Sequence, residues 1–268
     1  MTVSPKLPLT SLLADFRILR LQIVHKELSM DLRGVILAGG TGSRLRPLTK
    51  VTNKHLLPVG QKPMIYYPVE KLTSIGIEQI LIVTGVEHMG DVVGLLGSGR
   101  EFGCRFTYRV QDEAGGIAQA LGLAENFAQR LAIILGDNIF QANLKNYADK
   151  FISQKAGARI LLKQVPVPQR FGVARISNGK IVGIDEKPKN PVSDYAVTGI
   201  YFYDDSVFDI IRTLKPSGRG ELEISDVNNA YIAKGLLEYD ILDGWWSDAG
   251  TFESLSSVNE LVAKEPPQ

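Results

Sequence analysis

The chain has 268 residues, 44% of them hydrophobic and 22% charged, which is the balance of an ordinary globular protein. Its formal net charge of +1 offers no overall field for nucleic acid or an anionic membrane, so any phosphate site must be built from locally placed cations. The single cysteine, Cys104, excludes an intrachain disulfide and fits a reducing cytoplasm; set in an apolar-aromatic strand pattern, it reads as a core residue rather than a nucleophile.

Residues 1–30 carry Leu12, Leu13, Phe16, Ile18, Leu19, Leu21, Ile23 and Val24, but Asp15, Arg17, Arg20 and Lys26 interrupt them. No apolar run approaches the ~20 residues a membrane span needs, and no secretory signal is visible. The segment reads as an N-terminal extension, either a weak amphipathic helix over 11–28 or a stretch upstream of a true start at Met30. The second reading is preferred because a buried strand begins directly after Met30. A single domain is expected over 31–264.

From residue 31 onward, short apolar runs alternate with helical periodicity. Residues 34–38 (Gly-Val-Ile-Leu-Ala) form a continuous apolar run ended by glycines, as expected of a parallel strand buried on both faces. Residues 64–75 show a 3.6-residue period through Ile65, Val69, Leu72 and Ile75. A second buried strand is expected over 79–84, a helix over 88–96, a strand over 105–111, a helix over 116–126 and a third buried strand over 131–135. Such alternation implies crossover connections and a parallel sheet covered on both faces. Past residue 156 the rhythm changes to strands over 157–165, 171–176, 180–186 and 195–203, then helices over 206–213, 225–234 and 251–264. The expected fold class is α/β: a Rossmann-like, mostly parallel central sheet flanked by helices, with an antiparallel extension.

The segment richest in chemistry is Leu37-Ala-Gly-Gly-Thr-Gly-Ser-Arg44, directly after the first strand. Its glycines expose amide donors to a closely approaching phosphate, and Arg44 adds a planar, permanently charged fork. Glycines alone would equally suit a plain turn. A dinucleotide fingerprint starting at Gly40 fails because position 45 is leucine and no acid lies between Asp31 and Glu70; a Walker loop fails because the run ends Ser43-Arg44-Leu45. Lys54 sits among apolar and turn residues, where an unpaired ammonium is costly and an anionic ligand is a natural partner; taken alone it reads as a solvated surface lysine, and Arg44 nearby in sequence tips the reading toward a ligand. Asp137 follows the third buried strand, where ligands of open α/β sheets gather.

The loop, followed by Lys54-His-Leu-Leu-Pro58, closely resembles the signature of bacterial glucose-1-phosphate thymidylyltransferases within the sugar nucleotidyltransferases. The likeness continues through Lys62-Pro-Met-Ile-Tyr-Tyr67, Gly115-Gly-Ile-Ala-Gln-Ala120, Leu135-Gly-Asp-Asn138, Glu186-Lys-Pro188, Tyr195-Ala-Val-Thr-Gly199, Arg219-Gly-Glu-Leu-Glu-Ile-Ser-Asp226 and Trp246-Ser-Asp-Ala-Gly250, spanning about 32–262. It implies joining of dTTP to glucose 1-phosphate with release of pyrophosphate. By the same resemblance Leu37, Gly39, Gly40, Thr41, Gly42 and Ser43 belong to the nucleotide loop, and Arg44 and Lys54 hold the triphosphate. Gln111 and Gly116 read the base, and Asp137 and Asp248 hold Mg²⁺. Lys187 and Arg219 bind the attacking phosphate, Glu186 a sugar hydroxyl, and Gly172, Val197, Thr198 and Gly199 line the sugar.

Phe171 replaces a tyrosine common in the family, and His55 stands where glutamine is common. Gln119 reads as a helix surface residue, Trp245 and Trp246 as core or rim packing, and His25 and His88 as lacking metal-ligand spacing. The resemblance further implies a homotetramer or homodimer, no nucleic-acid or membrane partner, and, since the chain ends soon after the Asp248 helix, no regulatory site dependent on a longer carboxyl-terminal tail. Open alternatives are UTP or another hexose 1-phosphate as substrate, and a non-catalytic relative.

Overall fold

Val35 and Leu37 on one side of the first strand, and Ile36 and Ala38 on the other, are all buried, so this strand needs an apolar layer against each face. The computed structural model, which describes residues 32–267, supplies both layers. The expected helix over 11–28, the start at Met30, and His25 lie outside the described residues.

In chain order the elements are β1 (Leu32–Ala38), β2 (Pro58–Val59), β3 (Lys62–Pro63), α1 (Tyr66–Ser74), β4 (Gln79–Gly85), α2 (Met89–Leu96) and β5 (Arg105–Gln111). They continue as α3 (Ile117–Gly122), β6 (Arg130–Leu135), β7 (Asn138–Phe140), α4 (Lys145–Ser153), β8 (Ala158–Gln164), β9 (Gly172–Ser177) and β10 (Lys180–Glu186). The last are β11 (Tyr195–Asp204), α5 (Ser206–Thr213), α6 (Ile224–Ala233), β12 (Leu237–Ile241), β13 (Trp246–Asp248) and α7 (Phe252–Lys264).

Nine strands share one sheet, ordered β10-β9-β11-β6-β1-β4-β5, with β8 on β11 and β12 on β8. Strands β6, β1, β4 and β5 run parallel. Strand β11 is antiparallel to both β6 and β8, so the expected antiparallel extension is a continuation of the same sheet. Helices α1, α2 and α4 pack on one face through Val69, Leu72, Val92 and Phe151. Helices α3, α5 and α6 cover the other through Leu121, Phe208 and Val227. Each fully buried aliphatic side chain in these layers contributes about 1.5–3 kcal/mol. Among the described residues no helix is long and apolar enough to cross a membrane.

The sequence reading missed α4, although Tyr147, Ala148, Phe151 and Ile152 bury one face of it. Asn146, Asp149 and Ser153 on its other face are weak helix formers, and the helix is held by packing, with Phe151 against Phe202 at 5.6 Å. Helix α3 is shorter than expected because tight turns take over after Gly122 and Asn126 adopts a positive φ of 64°. Strands β7 and β13 are too short, at three residues each, to show a period. Cys104 is buried, as its setting suggests.

Candidate active site

Beside β1 the strand order reverses, with β4 on one side and β6 on the other, which opens a crevice beyond their carboxyl ends. Leu37 lies in register with Leu135, and the Gly136 amide donates to the Leu37 carbonyl at 2.9 Å. The glycine loop leaving β1 and Asp137 leaving β6 are therefore immediate neighbours, although 97 residues separate Gly40 from Asp137 in the chain. The crevice opens into a cleft of about 670 Å³, a size suited to a ligand as large as a nucleotide.

Three further segments reach the cleft. The short turn Lys54–Leu56 carries Lys54, whose Nζ lies 2.5 Å from Asp137 Oδ2. Under it, His55 is buried: its Nδ1 pairs with Asn53 Oδ1 at 2.6 Å, and its ring fills the space a side chain at Gly136 would need. His55 thus supports Lys54 and does not line the cleft. The β7–β13 ribbon sets Asp248 opposite Asn138, with the Ala249 amide donating to the Asp137 carbonyl at 2.8 Å. Asn138 braces this corner: its Oδ1 accepts from the Gly199 amide at 2.9 Å and from Trp246 Nε1 at 2.7 Å.

At the far end of β10, Lys187 holds a positive φ of 44°, unusual for a residue with a side chain, and its amide donates to the Phe171 carbonyl at 3.0 Å. Its Nζ lies 3.4 Å from Glu186 Oε1. Arg219 is gathered by Glu223 at 2.8 Å and Glu186 at 3.2 Å, while Ser225 donates to Glu186. Gln111 donates from Nε2 to Gln119 Oε1 at 2.6 Å, so Gln119 orients Gln111 instead of lying idle on a helix surface. The Gln111 carboxamide also passes so near Gly39 that any side chain at residue 39 would collide with its Oε1. Gly116, with φ of +99°, packs against the Leu222 backbone where no other residue fits.

Of the residues singled out from sequence, Leu37, Gly39, Gly40, Arg44, Lys54, Gln111, Gly116, Asp137, Gly172, Glu186, Lys187, Val197, Gly199, Arg219 and Asp248 line this one cleft. Thr41, Gly42, Ser43 and Thr198 do not. The Gly42 carbonyl closes a turn with Leu45 and Thr49, and Thr198 donates its hydroxyl to the Leu161 carbonyl inside the sheet. Arg170, Tyr201, Glu221, Glu223 and Trp246 line the cleft without having been singled out as ligands. Trp246 was readable, because alternation along an extended strand puts it on the same side as Asp248. Trp245 instead donates to the Glu265 carbonyl.

The electrostatics distinguish the two aspartates. Burial pushes the Asp137 carboxyl up, but the Lys54 ammonium and hydrogen bonds from Lys54 and Asn138 outweigh it and hold it well below the usual carboxylate range. Asp248 is pushed up to about 6 by burial and then by the Asp137 charge, against the pull of Arg170, Arg44 and Lys54. Two carboxylates crowded so that one resists ionisation form a set of hard oxygen donors suited to a divalent cation. Among the described residues no third acid, histidine or cysteine completes a cage, so phosphate oxygens would have to supply the remaining ligands. The pair fits a divalent cation on that chemistry.

Two stability effects follow. An unfolded Asp248 ionises near pH 4 and the folded one near 6, so its contribution is full below pH 4 and is lost as pH rises through 6. Asp248→Asn is expected to be about 1–3 kcal/mol more stable than the parent at pH 7–8, with the gap closing below pH 4 in denaturant titrations. His55 behaves oppositely. Burial, then the neighbouring Lys54 charge, lowers its pKa to about 3, so the unfolded chain takes up a proton first as pH falls below 6.5. This costs about 1.4 kcal/mol per pH unit, and His55→Gln is expected to flatten the decline in stability between pH 6.5 and 4.

A glycine loop and a carboxylate at a switch point, with cations collected from distant segments, define a nucleotide-handling transferase of the α/β type. The chain belongs to the nucleotidyl transferase family, whose model matches residues 33–265. It is 44% identical over 237 residues to the glucose-1-phosphate thymidylyltransferase of Neisseria meningitidis, covering 86% of this chain and 82% of that one. It is 42% identical over 236 residues to the enzyme of the same name from Mycolicibacterium smegmatis, with 86% and 82% covered. A Bacillus anthracis protein assigned as a glucose-1-phosphate thymidylyltransferase, solved in complex with sucrose, superposes with a TM-score of 0.83 at 62% identity, covering 86% of this chain and 94% of its own. A UDP-glucose pyrophosphorylase solved with UDP-glucose shares the fold, with a TM-score of 0.77 at 24% identity over 88% of this chain and 99% of its own.

Proposed function

We propose that this protein joins dTTP to glucose 1-phosphate, giving dTDP-glucose and pyrophosphate. An oxygen of the sugar phosphate attacks the α-phosphorus in line, and the bond to the β-phosphate oxygen breaks. The observation that carries this reading is that Lys187 and Arg219 share one cleft with Arg44, Lys54 and Asp137. The likeness to the Neisseria and Mycolicibacterium enzymes supports the choice of substrates.

Both reactants are anions, and two unit charges ~4 Å apart repel by about 4 kcal/mol at an effective dielectric near 20. Arg44 and Lys54 hold the triphosphate, the Gly39-Gly40 backbone lets it approach, and Lys187 and Arg219 steady the attacking phosphate. That phosphate is already ionised at neutral pH, so no side chain need remove a proton. Gln111 Oε1 makes no protein hydrogen bond among the described residues and serves as acceptor for the N3–H of thymine. Asp137 and Asp248 would hold Mg²⁺, which when bound offsets phosphate charge. Assembly as a homotetramer or homodimer and a cytoplasmic location belong to the same reading.

Pyrophosphate release measured across four nucleoside triphosphates and several sugar 1-phosphates tests it. The highest kcat/KM is expected for dTTP with glucose 1-phosphate. Uracil lacks only a methyl group, so UTP is expected to fall behind by no more than ~10–200-fold. A preference for UTP would replace the proposal with a UDP-sugar enzyme, and silence with every pair would leave a non-catalytic relative.

A further inference from the structure

Five cations and five carboxylates line the cleft, and most are already joined to one another. Lys54 holds Asp137, Lys187 and Arg219 hold Glu186, and Arg170 holds Asp248. The first three cations are accounted for by the proposed substrates. Arg170 has no role in that reaction as described above.

Its geometry is unusual for a structural ion pair. One nitrogen, Nη2, approaches both Asp248 oxygens at 3.1 Å, and these are its only hydrogen bonds among the described residues. An arginine whose task is to lock a carboxylate presents two nitrogens in parallel at 2.7–2.9 Å or so. A ring face supports the same head group. The guanidinium lies 5.3 Å from the Phe171 ring centre, and Phe171 packs edge-on against Trp246 at 5.1 Å, on the strand that carries Asp248. The guanidinium is therefore steadied on a ring face beside Asp248, while its polar link to that carboxylate is one nitrogen shared between two oxygens, a contact open to replacement.

We infer that Arg170 is a positioning residue that neutralises Asp248 until a divalent cation arrives with the triphosphate, then yields that carboxylate and turns to the phosphates. The inference rests on the proposed nucleotidyl transfer and adds to it a residue and an order of events. A divalent cation entering without nucleotide must compete with Arg170 for Asp248, and with Lys54 for Asp137. A triphosphate offers both cations a better anion, so cation and nucleotide favour each other's binding.

The test is Mn²⁺ affinity of the protein alone, read by electron paramagnetic resonance, beside steady-state turnover with Mg²⁺. Arg170→Ala is expected to bind Mn²⁺ on the order of tenfold more tightly than the parent, since a competing charge within ~4 Å is gone, and to turn over more slowly because the phosphates lose a cation. Arg170→Lys, which keeps the charge, is expected to stay near the parent in Mn²⁺ affinity. Unchanged or unmeasurable Mn²⁺ binding in Arg170→Ala overturns the inference, as does full turnover in that variant or an equal gain in Arg170→Lys. Failure of the underlying function would look different, because the parent protein itself would release no pyrophosphate from any substrate pair.

Discussion

Replacing Asp137 by asparagine is expected to lower turnover by about 10²–10³, the scale of losing one preorganised electrostatic element. The substitution conserves shape and keeps an oxygen to accept from Asn138 Nδ2, which now lies 3.0 Å from Asp137 Oδ1. What disappears is the charge that Lys54 faces at 2.5 Å and that a divalent cation would bind. The fold is expected to lose stability as well. The Asp137 carboxyl titrates below its unfolded value, so its ionised form stabilises the native state above about pH 4, and that support fades as pH falls further. Asp248, relieved of its neighbour's charge, should then ionise at lower pH than 6. Turnover with saturating Mg²⁺ is the measurement, with a thermal melt to separate chemistry from folding. Near-normal turnover would remove Asp137 from the reaction.

The second large effect is expected at Lys187. A hydrogen bond to a charged group contributes about 1.5–3 kcal/mol, so Lys187→Ala should lower kcat/KM for glucose 1-phosphate roughly 10–150-fold. Affinity for dTTP should hardly move, because Lys187 lies at the end of β10 beside Glu186, apart from the loop that follows β1. The alanine keeps its Cβ, so the strain of a φ of 44° persists and the variant reports on the lost ammonium alone. Should nucleotide binding weaken while use of the sugar phosphate is spared, Lys187 belongs to the other half of the cleft.

The central strands could be read directly because β1, β4 and β6 are buried on both faces, and only an unbroken apolar run survives there. The glycine loop and the acid after β6 were readable for a related reason, since each directly follows such a run. The resemblance then brought Lys187, Arg219 and Asp248 into the same account, residues whose local sequence is that of ordinary turns and strand ends.

Partnership was beyond that reading. Arg170 and Asp248 are 78 residues apart, and no local pattern marks either as the other's counter-ion. His55 stands where the family commonly has glutamine, and the fold turns it inward against Gly136; Thr198, expected to line the sugar, likewise turns into the sheet. Gln119 has the local pattern of a helix-surface residue, and only the fold brings Gln111 into hydrogen-bond range of it. Periodicity along the chain reports how often a side chain meets water, and so it dictates strands, helices and the faces they bury. Which charge lies beside which depends on segments meeting across the sheet, and the energy of such a pair depends on how much water the surrounding fold excludes. That part of the protein exists only once the chain has closed around its cleft.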